Sequence, residues 1–123
     1  MKRILIVDDA ATVRMYHRDI LEKSGYAVEE AINGIEAMEK ALSEPFDLYV
    51  VDVNMPKLDG MGFLRRLREQ EGPQVPAIMI STEAESNDAS AAFASGANDY
   101  LVKPAKPLPL VAHVRLLLGE VRP

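Results

Sequence analysis

Five short apolar runs alternate with five segments of helical periodicity, and this alternation constrains the fold more than any other feature. The runs lie at 4–7, 26–30, 48–52, 77–80 and 100–102. Continuous apolar runs rich in β-branched residues indicate strands that are covered on both faces. Strands that alternate with helices and short loops indicate βα units and a parallel sheet. The sequence therefore predicts an α/β fold, (βα)5, doubly wound and flavodoxin-like.

The apolar content of the runs predicts their places in the sheet. The runs at 4–7, 48–51 and 77–80 are uniformly apolar, which favours central positions. The run at 26–30 ends in two glutamates, which is typical of an edge strand. With the fifth strand at the other edge, we expect a parallel five-stranded sheet in the order 2-1-3-4-5.

Helix signals accompany the strands. Residues 11–23 place Val13, Tyr16, Ile20 and Leu21 at helical spacing. Asp59 is a plausible N-cap for the third helix. The fourth helix, 87–95, is short and rich in alanine and serine. His17 and His113 lie on different predicted helices with no paired ligand, so we interpret both as surface residues.

Composition limits the class of protein. The chain of 123 residues predicts one domain over 1–123, with no output domain in this chain. A net charge of -5 argues against nucleic-acid binding. Cysteine is absent, which excludes disulfides and thiolate metal sites. The first apolar run stops after four residues, too short for a signal peptide or membrane insertion, so we expect a cytoplasmic protein.

Charged and hydroxyl residues follow four of the five strands. They are Asp8, Asp9, Asp52, Ser81, Thr82 and Lys103. The carboxyl ends of parallel strands meet at one edge, where open α/β sheets bind their ligands. Three carboxylates would repel one another, and Mg²⁺ would remove that conflict. Asp52 could then serve as a nucleophile that forms an aspartyl phosphate.

Simpler interpretations stay open for each residue taken alone. Asp9 could cap the first helix, and Ser81 or Thr82 could cap the fourth. Lys103 could be a solvated lysine, and Tyr100 a half-buried aromatic on an edge strand. The convergence of four strand ends favours the site over these alternatives.

The motifs together resemble the receiver domain of bacterial response regulators. They are Val7-Asp8-Asp9, Asp52-Val53-Asn54-Met55-Pro56 with Asp59-Gly60, Ile80-Ser81, Gly96-Ala97 and Tyr100-Leu101-Val102-Lys103-Pro104. The resemblance covers essentially the whole chain, and the motifs occur in the family's order. It implies a two-component signalling switch of the single-domain, chemotaxis-regulator type.

The resemblance also implies a role for each site residue. Asp52 accepts a phosphoryl group, and Mg²⁺ is held by Asp9, Asp52 and the Asn54 backbone carbonyl, with Asp8 assisting through water. Ser81, which directly follows the apolar run, is the switch hydroxyl, Lys103 binds the phosphate, and Tyr100 belongs to the switch. Thr82, Glu83 and Pro104 are neighbours, Asn54 and Glu83 occupy positions that tune the phosphoryl lifetime, and the Lys103-Pro104 peptide is expected to be cis.

Partners follow from the same resemblance. A sensor histidine kinase or phosphotransfer protein donates the phosphoryl group, and an unidentified protein target receives the signal. We expect a monomer, with dimerisation on phosphorylation left open. Many relatives carry a bulky aromatic after the Lys-Pro pair, whereas this chain has Ala105, followed by a proline-rich stretch at 106–109 that could delay the fifth helix.

Two other functions compete with the switch. The first is a small Mg²⁺-dependent phosphatase with an aspartyl-phosphate intermediate, but such hydrolases place an acid two residues after the nucleophile, where this chain has Asn54. The second is a flavin- or nucleotide-binding module, but no glycine-rich loop follows the first strand. We therefore expect a switch that catalyses only its own phosphorylation and dephosphorylation, and not an enzyme.

Overall fold

The computed structural model describes residues 1–82 and 86–120. Five strands and five helices alternate along these residues. In chain order they are β1 (Arg3–Val7), α1 (Ala11–Lys23), β2 (Ala27–Ala31), α2 (Gly34–Ser43), β3 (Leu48–Asp52), α3 (Gly60–Arg68), β4 (Ala77–Ser81), α4 (Ser86–Ala94), β5 (Asp99–Val102) and α5 (Pro107–Leu117).

The strands form one parallel sheet in the order β2-β1-β3-β4-β5, which confirms the predicted topology and both edge strands. Alternate residues of the central strands face opposite sides of the sheet. In β3, for example, Leu48 and Val50 join a core with α1 and α5, whereas Tyr49 and Val51 join a core with α2, α3 and α4. The sheet is thus covered on both faces, as its continuous apolar runs predict.

Two residues explain where α3, the helix that follows β3, begins. The Asp59 side chain accepts a hydrogen bond from the Gly62 amide at 2.7 Å, so the predicted N-cap of α3 is confirmed. Gly60 is required next to it, because a Cβ there would lie 2.1 Å from the Asp52 carbonyl oxygen. Only glycine lets α3 start so close to the end of β3.

Several predicted element bounds differ by one residue from the structure, because β1 begins at Arg3, β4 ends at Ser81 and β5 begins at Asp99. The second strand runs Ala27–Ala31 and not 26–30, because Ala27 is the first residue of the ladder with β1, opposite Arg3. The fourth helix is Ser86–Ala94 and not 87–95. Helix α5 starts at Pro107, so the proline-rich stretch enters the helix and delays it little.

The prediction that His17 lies on the surface is wrong. Its side chain is 2% exposed, while Tyr16, which the apolar pattern placed on the inner face, is 41% exposed. Position 17 lies four residues after Val13 and four before Leu21, so helical geometry puts it on the buried face whatever its polarity. His113 is half-buried and paired with Asp99 through its ring Nδ1, so it is not a free surface residue either.

Candidate functional site

The strand ends bring the predicted carboxylates together. Val7 pairs with Val51, so Asp8 and Asp52, the residues that follow them, lie side by side at the carboxyl edge. Asp8 is 2% exposed and Asp52 is 7% exposed. Together with the exposed Asp9, they each offer a carboxylate oxygen within 4.8 Å of the others.

Lys103 reaches this cluster from the end of β5. Its Nζ lies 3.0 Å from Asp52 Oδ1 and 3.1 Å from Asp8 Oδ2, and 17% of its side chain is exposed. The solvated-lysine interpretation is therefore wrong. The lysine bridges two buried carboxylates, which is the position from which it could also meet an anionic group carried by Asp52.

One ammonium shared among three carboxylates leaves the site short of positive charge. Burial raises the pKa of Asp52; contact with Lys103 opposes this effect, and the charges of Asp8 and Asp9 reinforce it. Burial alone would lower the pKa of Lys103, but its contacts with Asp52 and Asp8 outweigh burial and raise it. Burial also lowers the pKa of His17, so this imidazole adds no positive charge nearby at pH 7. A dication would offset the two remaining negative charges.

The donor set fits a hard cation. The ligand atoms in the cluster are the carboxylate oxygens of Asp8, Asp9 and Asp52, and Mg²⁺ prefers oxygen ligands. Asp9 is exposed to solvent, so a bound Mg²⁺ could keep several of its water ligands there, as Mg²⁺ usually does. The alternative that Asp9 caps α1 finds no support, because the N-cap residue is Ala10 and no side chain caps that helix. Asp8 instead accepts a hydrogen bond from the Ala10 amide at 2.9 Å.

The predicted switch residues Ser81 and Tyr100 lie on β4 and β5. Ser81 ends β4, is 1% exposed and pairs with Val102, while its carbonyl accepts a hydrogen bond from the Lys103 amide at 2.7 Å. Thr82 follows it and is exposed. Tyr100 is half-buried on β5, opposite Met79, and packs against the core shared with α3 and α4.

Three further predictions concern the Lys103-Pro104 peptide, Asn54 and Glu83. The Lys103-Pro104 peptide is cis, as predicted. Asn54 lies exposed in the loop after β3, and the role of its carbonyl stays a prediction. Glu83 lies outside the described residues.

Two features near the site were missed by sequence reasoning. His17 is buried against the pocket that Lys103 and Pro104 line. The Tyr16 hydroxyl donates a hydrogen bond to the Ala105 carbonyl at 2.9 Å, which ties α1 to the loop after β5. The only sequence signal is the small residue at position 105, since alanine leaves room for a side chain from another element.

Within residues 1–82 and 86–120, every helix is too short or too polar to cross a lipid bilayer.

Comparison with known proteins agrees with this arrangement. Residues 4–115 match the family model described as response regulator receiver domain. The chain is 40% identical over 116 residues to the transcriptional regulatory protein ResD of Bacillus subtilis, covering 94% of this chain and 48% of ResD. It is 37% identical over 119 residues to SrrA of Staphylococcus aureus, covering 97% of this chain and 48% of SrrA. The chain thus spans about half the length of these curated relatives.

Solved structures show the same fold. The chemotaxis protein CheY4 of Vibrio cholerae superposes with a TM-score of 0.89 at 35% identity, over 95% of this chain and 98% of CheY4. A putative response regulator from Chloroflexus aurantiacus gives a TM-score of 0.91 at 34% identity, over 96% of this chain and 98% of that one. The sheet order, the acidic cluster and the family match lead to one conclusion: the chain belongs to the receiver domain family of the response regulators in two-component systems.

Proposed function

We propose that residues 1–123 act as one phosphoacceptor domain, in which Asp52 takes a phosphoryl group from a histidine kinase or a phosphotransfer protein. The observation that carries the proposal is the buried Asp52 carboxylate, 3.0 Å from the Lys103 ammonium and beside two further carboxylates. Family membership supports a phosphorylation switch in general. The assignment of roles to individual residues is supported by the geometry of the cluster and by the motifs that resemble the family.

Phosphoryl transfer moves the phosphorus from a histidine nitrogen to a carboxylate oxygen of Asp52. An Asp52 carboxylate oxygen attacks the phosphorus of a phosphohistidine, an O–P bond forms and the P–N bond breaks. The electron pair of that bond stays on the imidazole nitrogen, which takes a proton. Hydrolysis later removes the phosphoryl group: a water oxygen forms a bond to the phosphorus and gives up a proton to solvent. The bond between the Asp52 oxygen and the phosphorus breaks with its electron pair on the carboxylate, and inorganic phosphate leaves.

Asp8, Asp9 and Asp52, with the Asn54 carbonyl, would hold Mg²⁺. When bound, Mg²⁺ supplies the positive charge that lets an anionic phosphoryl group approach three carboxylates. Lys103 contributes the protein's own cation, which can shift from Asp8 and Asp52 toward a phosphoryl oxygen. Ser81 supplies a hydroxyl one residue beyond the β4 partner of Asp52.

The same site favours a stored acyl phosphate over rapid turnover of small phosphate esters. The residue two positions after Asp52 is Asn54, whose amide cannot shuttle a proton to a leaving group or from a water. The signal then leaves through a protein surface. We infer that this surface is formed by α4, β5 and α5, because Ser81 and Tyr100 connect the site to those elements.

Mass spectrometry after incubation with acetyl phosphate and Mg²⁺ tests the proposal. We expect one added phosphoryl group on the wild-type protein and none on Asp52→Asn. Asp59→Asn is the matched control, because it changes another aspartate near β3 that only caps α3. A phosphoryl group that survives Asp52→Asn at full level, or that is lost equally in Asp59→Asn, would refute the assignment of Asp52.

A further inference from the structure

A cavity separate from the acidic cluster lies at the opposite end of the strands, where the loops lead into the sheet. It has a volume of about 420 Å³ and opens between the end of α2, the end of α3 and the loop that leads into β4. Leu42, Phe46, Leu67 and Val75 contribute apolar walls, and the rim is polar. Its size and mostly apolar lining are those of pockets that bind small organic molecules.

The Tyr49 hydroxyl is the unexplained group in this cavity. Tyr49 is 3% exposed, and its ring packs edge-on against Phe63 and tilted against Phe46, with ring centroids 5.7 and 5.8 Å away. Within the part of the chain that the structure describes, this hydroxyl makes no hydrogen bond. No polar side-chain atom there is both fully enclosed and without a partner, so the hydroxyl borders the open space of the cavity that Tyr49 lines.

Because the hydroxyl borders the open space of the cavity, water can bond to it there, and the oxygen of a small molecule could take the place of that water. The hydroxyl therefore offers a directional contact beside the apolar walls of the cavity, which is how small-molecule pockets fix the orientation of a ligand.

Glu44, Glu71 and Arg68 all line the cavity, and Arg68 is the one whose charge acts on Tyr49. The guanidinium of Arg68 is held in place by hydrogen bonds to the Val75 carbonyl at 2.6 Å, the Gly96 carbonyl at 3.0 Å and Asn98 Oδ1 at 3.0 Å. Its positive charge opposes the effect of burial on the pKa of Tyr49, so the two groups are close enough to interact. A fixed cation attracts an oxygen acceptor and repels an amine.

We propose that this cavity, lined by Tyr49, Phe46 and Arg68, binds a small aromatic molecule that carries one carbonyl or carboxylate oxygen. The ring lies against Phe46 and the aliphatic walls, and the oxygen accepts a hydrogen bond from the Tyr49 hydroxyl. The site is separate from the acidic cluster, so it stands or falls independently of the function proposed for Asp52.

The test is an NMR titration of the whole chain with three probes of similar size: benzamide, benzoate and benzylamine. We expect benzamide, benzoate or both to shift the amides around Ala41, Phe46 and Val75, and benzylamine to leave them unchanged. Tyr49→Phe removes only the hydroxyl and should weaken the binding of the oxygen probes roughly threefold to tenfold. Tyr26→Phe, at a tyrosine whose hydroxyl bonds Glu120 elsewhere, should bind as the wild type does.

Leu42→Ser keeps the test decisive if Tyr49→Phe folds poorly. Leu42 is 64% exposed at the edge of the cavity, so its replacement should spare the fold and still weaken the oxygen probes by removing apolar contact. The proposal is overturned if neither oxygen probe shifts these amides, or if benzylamine binds as well as they do. It is also overturned if a folded Tyr49→Phe protein binds them with unchanged affinity.

Discussion

Lys103 holds the metal-free site together, because its ammonium is the cation in contact with both buried carboxylates. Lys103→Met should lower the free energy of unfolding by about 2 kcal/mol without metal, less than for a fully enclosed pair because the site opens to water. Urea denaturation in the presence of a chelator measures this. Added Mg²⁺ should restore more stability to the variant than it adds to the wild type.

Lys23→Met is the control for Lys103→Met. Lys23 also pairs with an aspartate, but its side chain is 75% exposed, so its loss should change stability by less than about 0.5 kcal/mol. Equal effects of the two substitutions would show that Lys103 makes no special contribution to the cluster.

Asp9 distinguishes metal binding from simple charge crowding. Because Asp9 is the exposed member of the cluster, Asp9→Asn should leave the fold intact and remove most of the stabilisation by Mg²⁺. For the wild type that stabilisation is about 2.7 kcal/mol when Mg²⁺ exceeds its Kd a hundredfold. Thermal melts with and without Mg²⁺ measure it, and Asp19→Asn on α1 should respond as the wild type does. Melting temperatures that ignore Mg²⁺ would contradict the metal site.

At the scale of elements, α4 is the one best suited to move. Among its described side chains Ala92 alone is fully buried, and Phe93 is 49% exposed, so little apolar area fixes its position. Ser81 precedes α4 along the chain, and Tyr100 packs against the core beneath α4. A phosphoryl group that draws Ser81 inward could therefore displace this helix.

Ser81→Ala tests that route. The variant should still be phosphorylated on Asp52, but the amide shifts that phosphorylation causes in residues 86–97 and at Tyr100 should largely disappear. NMR spectra of both proteins before and after addition of acetyl phosphate give the comparison. Ser43→Ala, an exposed position on α2, should behave as the wild type does. Persistence of the α4 shifts in Ser81→Ala would place the route elsewhere.

At the scale of the whole molecule, a cluster of ion pairs connects the edge strand β2 to α1. Glu30 bonds Arg18 at 2.6 Å and Arg14 at 2.8 Å, and these contacts, the Arg18 bond foremost, lower the pKa of Glu30. Because the native pKa lies below the unfolded value of about 4.3, the stabilisation is present above that pH and is lost as pH falls through the native pKa.

Glu30→Gln should therefore destabilise the protein at pH 7 by about 1 kcal/mol, a modest value because a quarter of the Glu30 side chain is exposed. The difference from the wild type should shrink once the pH falls below about 4. Urea denaturation at several pH values measures it. Glu29→Gln, on the exposed side of the same strand, should have little effect at any pH, and a pH-independent loss in Glu30→Gln would contradict the ionic explanation.

The topology and the acidic cluster could be predicted from the sequence because both depend on short-range patterns. Apolar runs locate the strands, and a parallel sheet then brings Asp8, Asp52 and Lys103 to one edge whatever the details of packing. The burial of His17, the Tyr16–Ala105 hydrogen bond and the cavity beside Tyr49 could not be predicted in this way. They depend on how helices settle against the sheet, and polarity along the chain misleads where a polar residue occupies a buried helical position.

Asp52 is the residue that we expect to carry the phosphoryl group. Borohydride reduction of the phosphorylated protein converts an aspartyl phosphate to homoserine, and peptide mapping by mass spectrometry locates that residue. We predict homoserine at position 52 alone, dependent on both acetyl phosphate and Mg²⁺. Homoserine at position 8, 9 or 59, or none at position 52 in a protein that has gained a phosphoryl mass, would contradict the account.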